Sequence, residues 1–543
     1  MSRSFNISDY GARMDGVTDD TVALCRAFTA VAEAGGGVLT IPPGDYFLSG
    51  DTTIPLCSGL TVLANGARFR LPERLGDQAH LTLFGGTDIC DFSWRGGHFE
   101  GHCFDPRRSD NTWEPNANTR AIDVETSAGG QTRNLRFFEI TGTRMAGAVV
   151  TVRGEFDAPG RTVNAFATAV DVRDCHLIDC GKFMWDYGLL WQMLVWPEEY
   201  TAAETEMAWR YFRQDLVRRP IRMDDGDDRV RFDNSRDPVE QSRSGSDTES
   251  LCFFGSTLPR NLVRGLRYYV VDRGDDYIRV SSKHDGPPIR FEGSAGPEAG
   301  LIGNLSHAYM HLFQPIGCGR GKGAVELVAC RQTIQSGNRL SALGDTMHLQ
   351  HCHDNVFSNN QITGSRMGAF FIAEYCRNTT VTGNTVDGTN GSRVMSVEKS
   401  SEDVTITGNT FRNGGRGSWI NQPQRLILQG NVFVNNTTKG ERDPRRGRRS
   451  FETGEYEQFP ELYFTVYQPD GRYGPAIIRD NLFVTGPECK AAIDFARNGH
   501  DITLDGNVFE GPVRSVHVDP QCERVHIGTN LGIEVSKLPS AGQ

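Results

Sequence analysis

No stretch of the 543-residue chain approaches the ~18 consecutive apolar residues that a helix needs to cross a bilayer, so no membrane partner is expected. The N-terminal segment Met1 to Ile7 has no apolar run behind a basic start. No secretory leader is legible there, and a cytoplasmic location is expected, or an extracellular one if a leader has been removed. Positive charge is also short: 57 Lys and Arg stand against 68 Asp and Glu, a net charge of −11. This leaves no general basic face for a phosphate backbone, and nucleic acid is not an expected partner. Paired cysteines are missing too, because the thirteen present are odd in number and irregularly spaced. Cys175, Cys180, Cys252, Cys330 and Cys352 lie in or beside apolar strands, and small buried thiols in a reducing compartment are the expected reading. No cofactor signature is present, and none is expected.

Glycine is plentiful at 61 residues, and with abundant Asn it points to many tight turns. Phe5 to Ile7 reads as a short strand, followed by the turn Asp9-Tyr10-Gly11-Ala12. Thr18 or Asp19 can then cap a helix whose apolar residues Val22, Leu24, Ala27, Phe28 and Val31 recur at helical spacing. Gly35-Gly36-Gly37 ends it, and Val38 to Tyr46 forms a strand leaving through a turn. A coil of strands needs its apolar end covered, and an amphipathic helix does that.

The second half repeats. Short apolar alternations end in Asn338, Asn360, Asn384, Asn409, Asn431, Asn481, Asn507 and Asn530, with gaps of 22, 24, 25, 22, 50, 26 and 23 residues. Strand–turn–strand content at this period marks a β-solenoid. Asparagines stacked at each turn satisfy amide groups inside the coil, so they are structural. The double-length gap holds an inserted loop over 437–474.

The segment from Asp9-Tyr10-Gly11-Ala12 through Gly44-Asp45-Tyr46 resembles the N-terminal cap of the pectate lyase superfamily, and Arg95 to Gly101 looks like the glycine-bounded strand that follows in such proteins. The resemblance implies an all-β, right-handed parallel β-helix with an N-terminal capping helix. It also implies an oligo- or polysaccharide partner, and a homo-oligomer, a trimer, is a further expectation. The divisions expected are a cap at 1–50, a first part of the coil at 51–184, an inserted α+β segment at 185–303 and a second part at 304–543. Within the insertion, Pro197 to Arg213 reads as a helix, and residues from Leu258 to Ser282 form a small β module resembling one inserted in phage tail proteins.

Residues at one position on adjacent rungs lie ~4.8 Å apart, so a site is sought as a column. Ten residues before Asn360, Asn384, Asn409 and Asn431 stand Gln350, Glu374, Lys399 and Asn421, with Glu398 reaching the third place by one residue of slack. Tyr375 and Trp419 border this column, which suits a pyranose face. Glu374 and Glu398 are the favoured catalytic pair, near the ~5–5.5 Å separation of a retaining glycosidase. His348 is a third acid/base candidate, and Gln350, Lys399, Asn421, Trp419, Tyr375 and Asp345 would bind substrate. Trp185 and Asp186, beside Trp191 and Trp196, could wall a sugar cleft, or simply pack the insertion. A solvated strand face carrying ordinary charges is the competing reading of the column.

Other groups carry less. Strand alternation puts His351 and His353 on one face and His348 on the other, too few ligands for zinc, and no metal is expected. Asp224 to Asp228 has the composition of a calcium loop but lacks its downstream Glu. Gly274-Asp275-Asp276 falls inside the inserted module, and Arg442, Arg445, Arg446, Arg448 and Arg449 form a basic loop suited to an acidic glycan or to solvent. The Asn-Thr-Asp and Gly-His-Gly of polygalacturonases and the Asp-Pro-His of alginate epimerases are absent. The expected function is therefore a carbohydrate-active enzyme, a glycoside hydrolase first. A polysaccharide lyase with Lys399 or His348 as base is second, and a non-catalytic tailspike-like glycan binder is the alternative from another class.

Overall fold

The computed structural model describes residues 3–75, 80–105, 108–114, 117–157, 162–181, 193, 195–202, 205, 221–232, 250–303, 323–342, 344–365, 368–388, 393–438, 449–455, 457–468 and 470–537. Among them, strands recurring once per rung stack into three parallel sheets of 14, 13 and 13 strands. Sheet A runs from Ser4–Asn6 to Glu523–Ile527, sheet B from Asp15–Asp19 to Val508–Glu510, and sheet C from Ile54–Pro55 to Glu534–Lys537. One rung shows the path: Gly368–Ile372 in sheet C, Arg377–Thr382 in sheet A, Thr385–Asp387 in sheet B, then Met395–Val397 in sheet C again. Returning each strand to the parallel neighbour of its predecessor produces a β-helix, right-handed as parallel crossovers are. This is the expected architecture.

The helix Thr21–Glu33 covers the N-terminal end through Leu24, Ala27, Phe28 and Val31, all buried. Val22 departs from the expected stripe and is 57% exposed. Asp20 is the N-cap residue, but its carboxylate turns back to Arg13 N and Met14 N, and Asp19 Oδ1 instead accepts from Thr21 N at 3.0 Å.

Farther along, the asparagines form a continuous ladder. Asn360 N and Nδ2 donate to Asn384 Oδ1 at 2.8 and 3.0 Å, and Asn384 repeats both bonds to Asn409 at 2.9 Å. The series continues through Asn431, Asn481 and Asn507 to Asn530, and begins where Cys175 N donates to Asn338 Oδ1. The ladder positions from Asn338 to Asn507 are entered through a left-handed residue, glycine at Gly383 (φ 66°), Gly408 (φ 65°) and Gly430 (φ 64°) among them. A side chain there would carry the cost of that region, which explains the recurrent Gly-Asn pair. Inside the coil, Phe411, Phe433, Phe483 and Phe509 stack at 5.2, 4.9 and 5.1 Å. Cys330, Cys352 and Cys376 form a second internal column, and burial pushes the Cys330 and Cys376 thiols well up. The Cys330 and Cys376 thiols therefore stay protonated and inert. All twelve cysteines among the described residues are free thiols.

The chain divides into two compact units: residues 1–184, 320–443 and 458–543 form the coil, and residues 185–319 with 444–457 form the second unit. The second unit carries a six-stranded antiparallel sheet over a core that includes Val230, Phe232, Leu251, Phe253, Ile278 and Val280. Of the helix expected over Pro197 to Arg213, the described residues show a 3-10 turn, Pro197–Glu199, and then helical Ala202 and Thr205, with Thr205 N donating to Thr201 O at 3.0 Å; most of the rest lies outside the described residues. The stretch 437–474 is not one loop. Its strand Leu462–Thr465 belongs to sheet C, so the 50-residue gap is one rung with excursions on either side of that strand.

One buried carboxyl sits beside the first excursion. Glu461 is fully buried and accepts from Asn436 N at 3.0 Å and from Asn436 Nδ2. Burial pushes it up to about 7 from the ordinary 4.5. Folding thus favours the protonated form, and this contribution to stability is complete below the unfolded value and lost as pH rises through about 7. Wild-type stability should therefore fall by a few kcal/mol between about pH 5 and about pH 8, and Glu461→Gln should flatten that fall in urea unfolding. An unchanged slope would contradict the assignment. Asn409→Ala removes the acceptor for two Asn384 donors, so it should cost about 2–4 kcal/mol, against almost nothing for the exposed Asn65→Ala. Equal unfolding midpoints for the two variants would refute the ladder's role.

Candidate functional site

Alternation along each sheet C strand sends one set of side chains into the core and the other outward. Val325 and Leu327, Met347 and Leu349, Phe370 and Ile372, and Met395 and Val397 fill the interior. The outward column in register is then Asp123, Thr151, Glu326, His348, Phe371, Ser396, Trp419, Tyr463, Asp494 and His517. It carries charge at unusual depth: Glu326 is 4% exposed and His348 7% exposed. Glu326 is matched by Arg153 at 3.2 Å, and Asp123 by Arg120.

The column read from Gln350, Glu374, Lys399 and Asn421 lies at the C-terminal ends of the same strands, where the chain turns from sheet C into sheet A. His351 N donates to Glu374 O at 2.8 Å and Tyr375 N to Lys399 O at 3.1 Å, so Gln350, Glu374 and Lys399 are rung neighbours, and His351 is aligned with Tyr375. Glu398 N instead donates to Ile372 O, which aligns Glu398 with Ala373. The expected stacking of Glu374 on Glu398 is therefore not formed, because the one residue of slack belongs to Lys399. Lys399 Nζ donates to Glu374 Oε1, Gln350 Nε2 donates to Glu374 Oε2 at 3.2 Å, and His351 Nε2 lies 3.8 Å from the same oxygen. Around this carboxylate, the His351 ring packs 5.2 Å from Tyr375 and 4.4 Å from Phe156, and the Tyr375 hydroxyl meets that of Tyr467 at 3.1 Å. The turns holding these groups are left-handed at His351 (φ 53°), Tyr375 (φ 57°), Lys399 (φ 45°), Ser400 (φ 59°) and Gln422 (φ 54°). Bulky side chains in that region cost about 1–3 kcal/mol each and gather at binding sites and switches.

A second group adjoins it. Trp419 Nε1 and Asn421 Nδ2 both donate to Thr465 Oγ1, at 2.6 and 2.8 Å. The Arg393 guanidinium lies 4.5 Å from the Trp419 ring, and its Nη1 lies 4.0 Å from Glu398 Oε1. Sequence reasoning missed His351 as part of the site, along with Glu326, Arg153, Arg393, Thr465 and Tyr467. Register, which ties residues far apart in sequence such as Thr151 to Glu326 and Trp419 to Tyr463, supplies what motif spacing lacks.

Several expectations fall elsewhere. Asp345 shares the inner side of its strand with Met347 and Leu349 and is buried, so the outward strip does not include it. His351 and His353 do not share a face: His351 is a turn residue, while His353 opens a sheet A strand and packs 4.7 Å from Phe166. Trp185 and Asp186 lie outside the described residues, as do Trp191, Arg442, Arg445, Arg446 and Arg448. In the second unit, Asp227 and Asp228 meet Arg231 and Arg279, Asp275 and Asp276 sit in a hairpin turn, and Arg449 stacks on Trp196.

Residues 4–63 match the family model described as rhamnogalacturonase A/epimerase, pectate lyase-like, and residues 316–443 match periplasmic copper-binding protein (NosD). Copper would want converging imidazole or sulfur donors. Among the described residues no group of three or more His, Cys, Asp or Glu converges. The mannuronan C5-epimerase AlgE3 of Azotobacter vinelandii is 43% identical over 61 residues, 11% of this chain and 3% of that protein. Alginate lyase 7 of the same organism is 48% identical over 46 residues, 8% of this chain and 5% of that protein. The chain thus spans a small fraction of these relatives' length. Among solved structures, the A-module of A. vinelandii mannuronan C-5 epimerase AlgE6 aligns over 98% of this chain and 99% of its own, with a TM-score of 0.43 and 14% identity. The tailspike protein of E. coli bacteriophage HK620 aligns over 96% of this chain and 72% of its own, with a TM-score of 0.49 and 13% identity. The chain is a parallel β-helix protein whose N-terminal segment, residues 4–63, is similar to the pectate lyase-like family.

Proposed function

We propose that the chain is a carbohydrate-modifying enzyme that abstracts the proton next to the carboxylate of a uronate residue in an acidic polysaccharide. The observation that carries this reading is the partner of Glu374, which is Lys399 on the next rung and not a second carboxylate. A glycosidase needs one carboxyl that arrives protonated. A Glu374 carboxylate joined to an ammonium and an amide N–H is no such proton donor. Proton abstraction needs other parts: a cation to hold the negative charge that develops on the substrate carboxylate, and residues able to carry a proton on either side of the sugar. Lys399 supplies the first, with Gln350 and Glu374 fixing its ammonium. His351, Tyr375 and His348 supply the second. From the resulting enolate-like state, expulsion of the neighbouring glycosidic oxygen completes a lyase reaction, and return of a proton to the opposite face completes an epimerisation. The relatives matched over short stretches, mannuronan C5-epimerases and an alginate lyase, support this chemistry in place of hydrolysis.

On a panel of polyuronates, the full chain should give unsaturated products or inverted residues, with no reducing ends beyond those that elimination creates. Lys399→Met should lower kcat at least about 100-fold. Reducing-end release without unsaturation, abolished by Glu374→Gln and Glu398→Gln together, would restore the hydrolase reading. Binding without turnover on any polymer would instead make the protein a glycan binder. The Lys399–Glu374 pair should show a coupling of about 1–2 kcal/mol in a double-mutant unfolding cycle, since both side chains are partly buried. Additive effects of Lys399→Met and Glu374→Gln would remove the pair from the argument.

A further inference from the structure

We infer that Arg393 is a specificity residue that binds the carboxylate of an acidic sugar, in a subsite completed by Trp419 and Asn421; this rests on the uronate reading above. The guanidinium is fixed by stacking more than by charge. It lies 4.5 Å from the Trp419 ring, and Trp419 is itself anchored through Nε1 to Thr465 Oγ1 at 2.6 Å. Its polar contacts among the described residues are confined to Nη1, 3.4 Å from Ser396 Oγ and 4.0 Å from Glu398 Oε1. A structural Arg–Glu pair closes to charge-assisted hydrogen bonds, commonly two in parallel at roughly 2.7–2.9 Å, and this one does not. Nε is buried with no hydrogen-bond partner among the described residues. A planar fork held flat by an indole, with donors to spare in a half-buried position, matches a carboxylate bidentately, which a lysine cannot do.

The neighbouring side chain suits the rest of a sugar. Asn421 gives its Nδ2 to Thr465, while Oδ1 is buried with no hydrogen-bond partner among the described residues, ready to accept from a hydroxyl. Trp419 stands one rung, ~4.8 Å, beyond the rung of Lys399, about one sugar residue along a chain that follows the coil axis. Arg393 thus reads the carboxylate of the residue adjoining the reacting one. Thr465 is a positioning residue, holding Trp419 and Asn421 by a single oxygen.

Binding of the full chain to polygalacturonate, polymannuronate and polyguluronate, each paired with its carboxyl-reduced neutral counterpart, tests this directly. Wild type should prefer at least one acidic polymer over its neutral form by tenfold or more. Arg393→Gln should erase that preference by lowering affinity for the acidic polymer tenfold or more. Arg393→Lys should restore only part of it, and Thr465→Val should weaken it in the same direction. No preference in wild type, or a preference that survives Arg393→Gln, overturns the assignment. Should Arg393→Gln unfold, Arg393→Lys decides: full wild-type preference there rules out the fork. Acid preference without turnover would leave this subsite standing while the proposed reaction fails. Turnover with a preference indifferent to Arg393 would do the reverse.

Discussion

Each rung of the coil must lie in register on the one before it, and the hydrogen bonds that enforce this run through asparagine amides as well as backbone. Asn384 receives two bonds from Asn360 and passes two to Asn409, so a ladder residue is satisfied only if its neighbours stand at the same place in their rungs. A slip of one residue would turn every outward side chain of the following strands inward. Register is therefore held from Cys175 and Asn338 to Asn530, over the rungs that carry Glu374 and Lys399. Residues far apart in sequence, such as Arg153 and Glu326 or Trp419 and Thr465, become neighbours because the ladder does not slip.

The same constraint explains where chemistry can sit. The interior takes phenylalanines and thiols in columns, and the turn between sheets A and B is committed to the asparagines. The outward face of sheet C and the turn that leaves it are free of such duties. That turn is where His351, Tyr375, Lys399 and Gln422 accept left-handed backbone conformations that glycine takes at the asparagine turn. Holding bulky side chains there has an energetic cost, and in exchange Lys399, Gln350 and His351 converge on Glu374, with Tyr375 beside them.

Much of the fold was legible because it is periodic. The Gly-Asn pairs, their spacing and the capping helix each follow from local chemistry, and the structure repeats them rung by rung. Val22 departs because helical spacing alone does not say which stripe meets the coil, and Leu24 and Phe28 decide it. The site was half legible. The ten-residue offset named Gln350, Glu374 and Lys399 as one column, but Glu398 does not stack on Glu374, and the sheet C register carries Asn421 opposite Glu398. His351 was read by strand alternation, which a left-handed turn interrupts. Arg393 and Thr465 lie in no motif, and only pairing across rungs brings them to Trp419.

The central claim is that the outward face of sheet C breaks a carbon–hydrogen bond and not, as its first step, a glycosidic one. Incubating the full chain with polyuronates in deuterium oxide and following the signal of the proton next to the carboxylate by NMR tests it most directly. The account predicts that this proton is lost to solvent, through exchange, inversion or elimination, and that Lys399→Met stops the loss. Chain cleavage with that proton retained would contradict it.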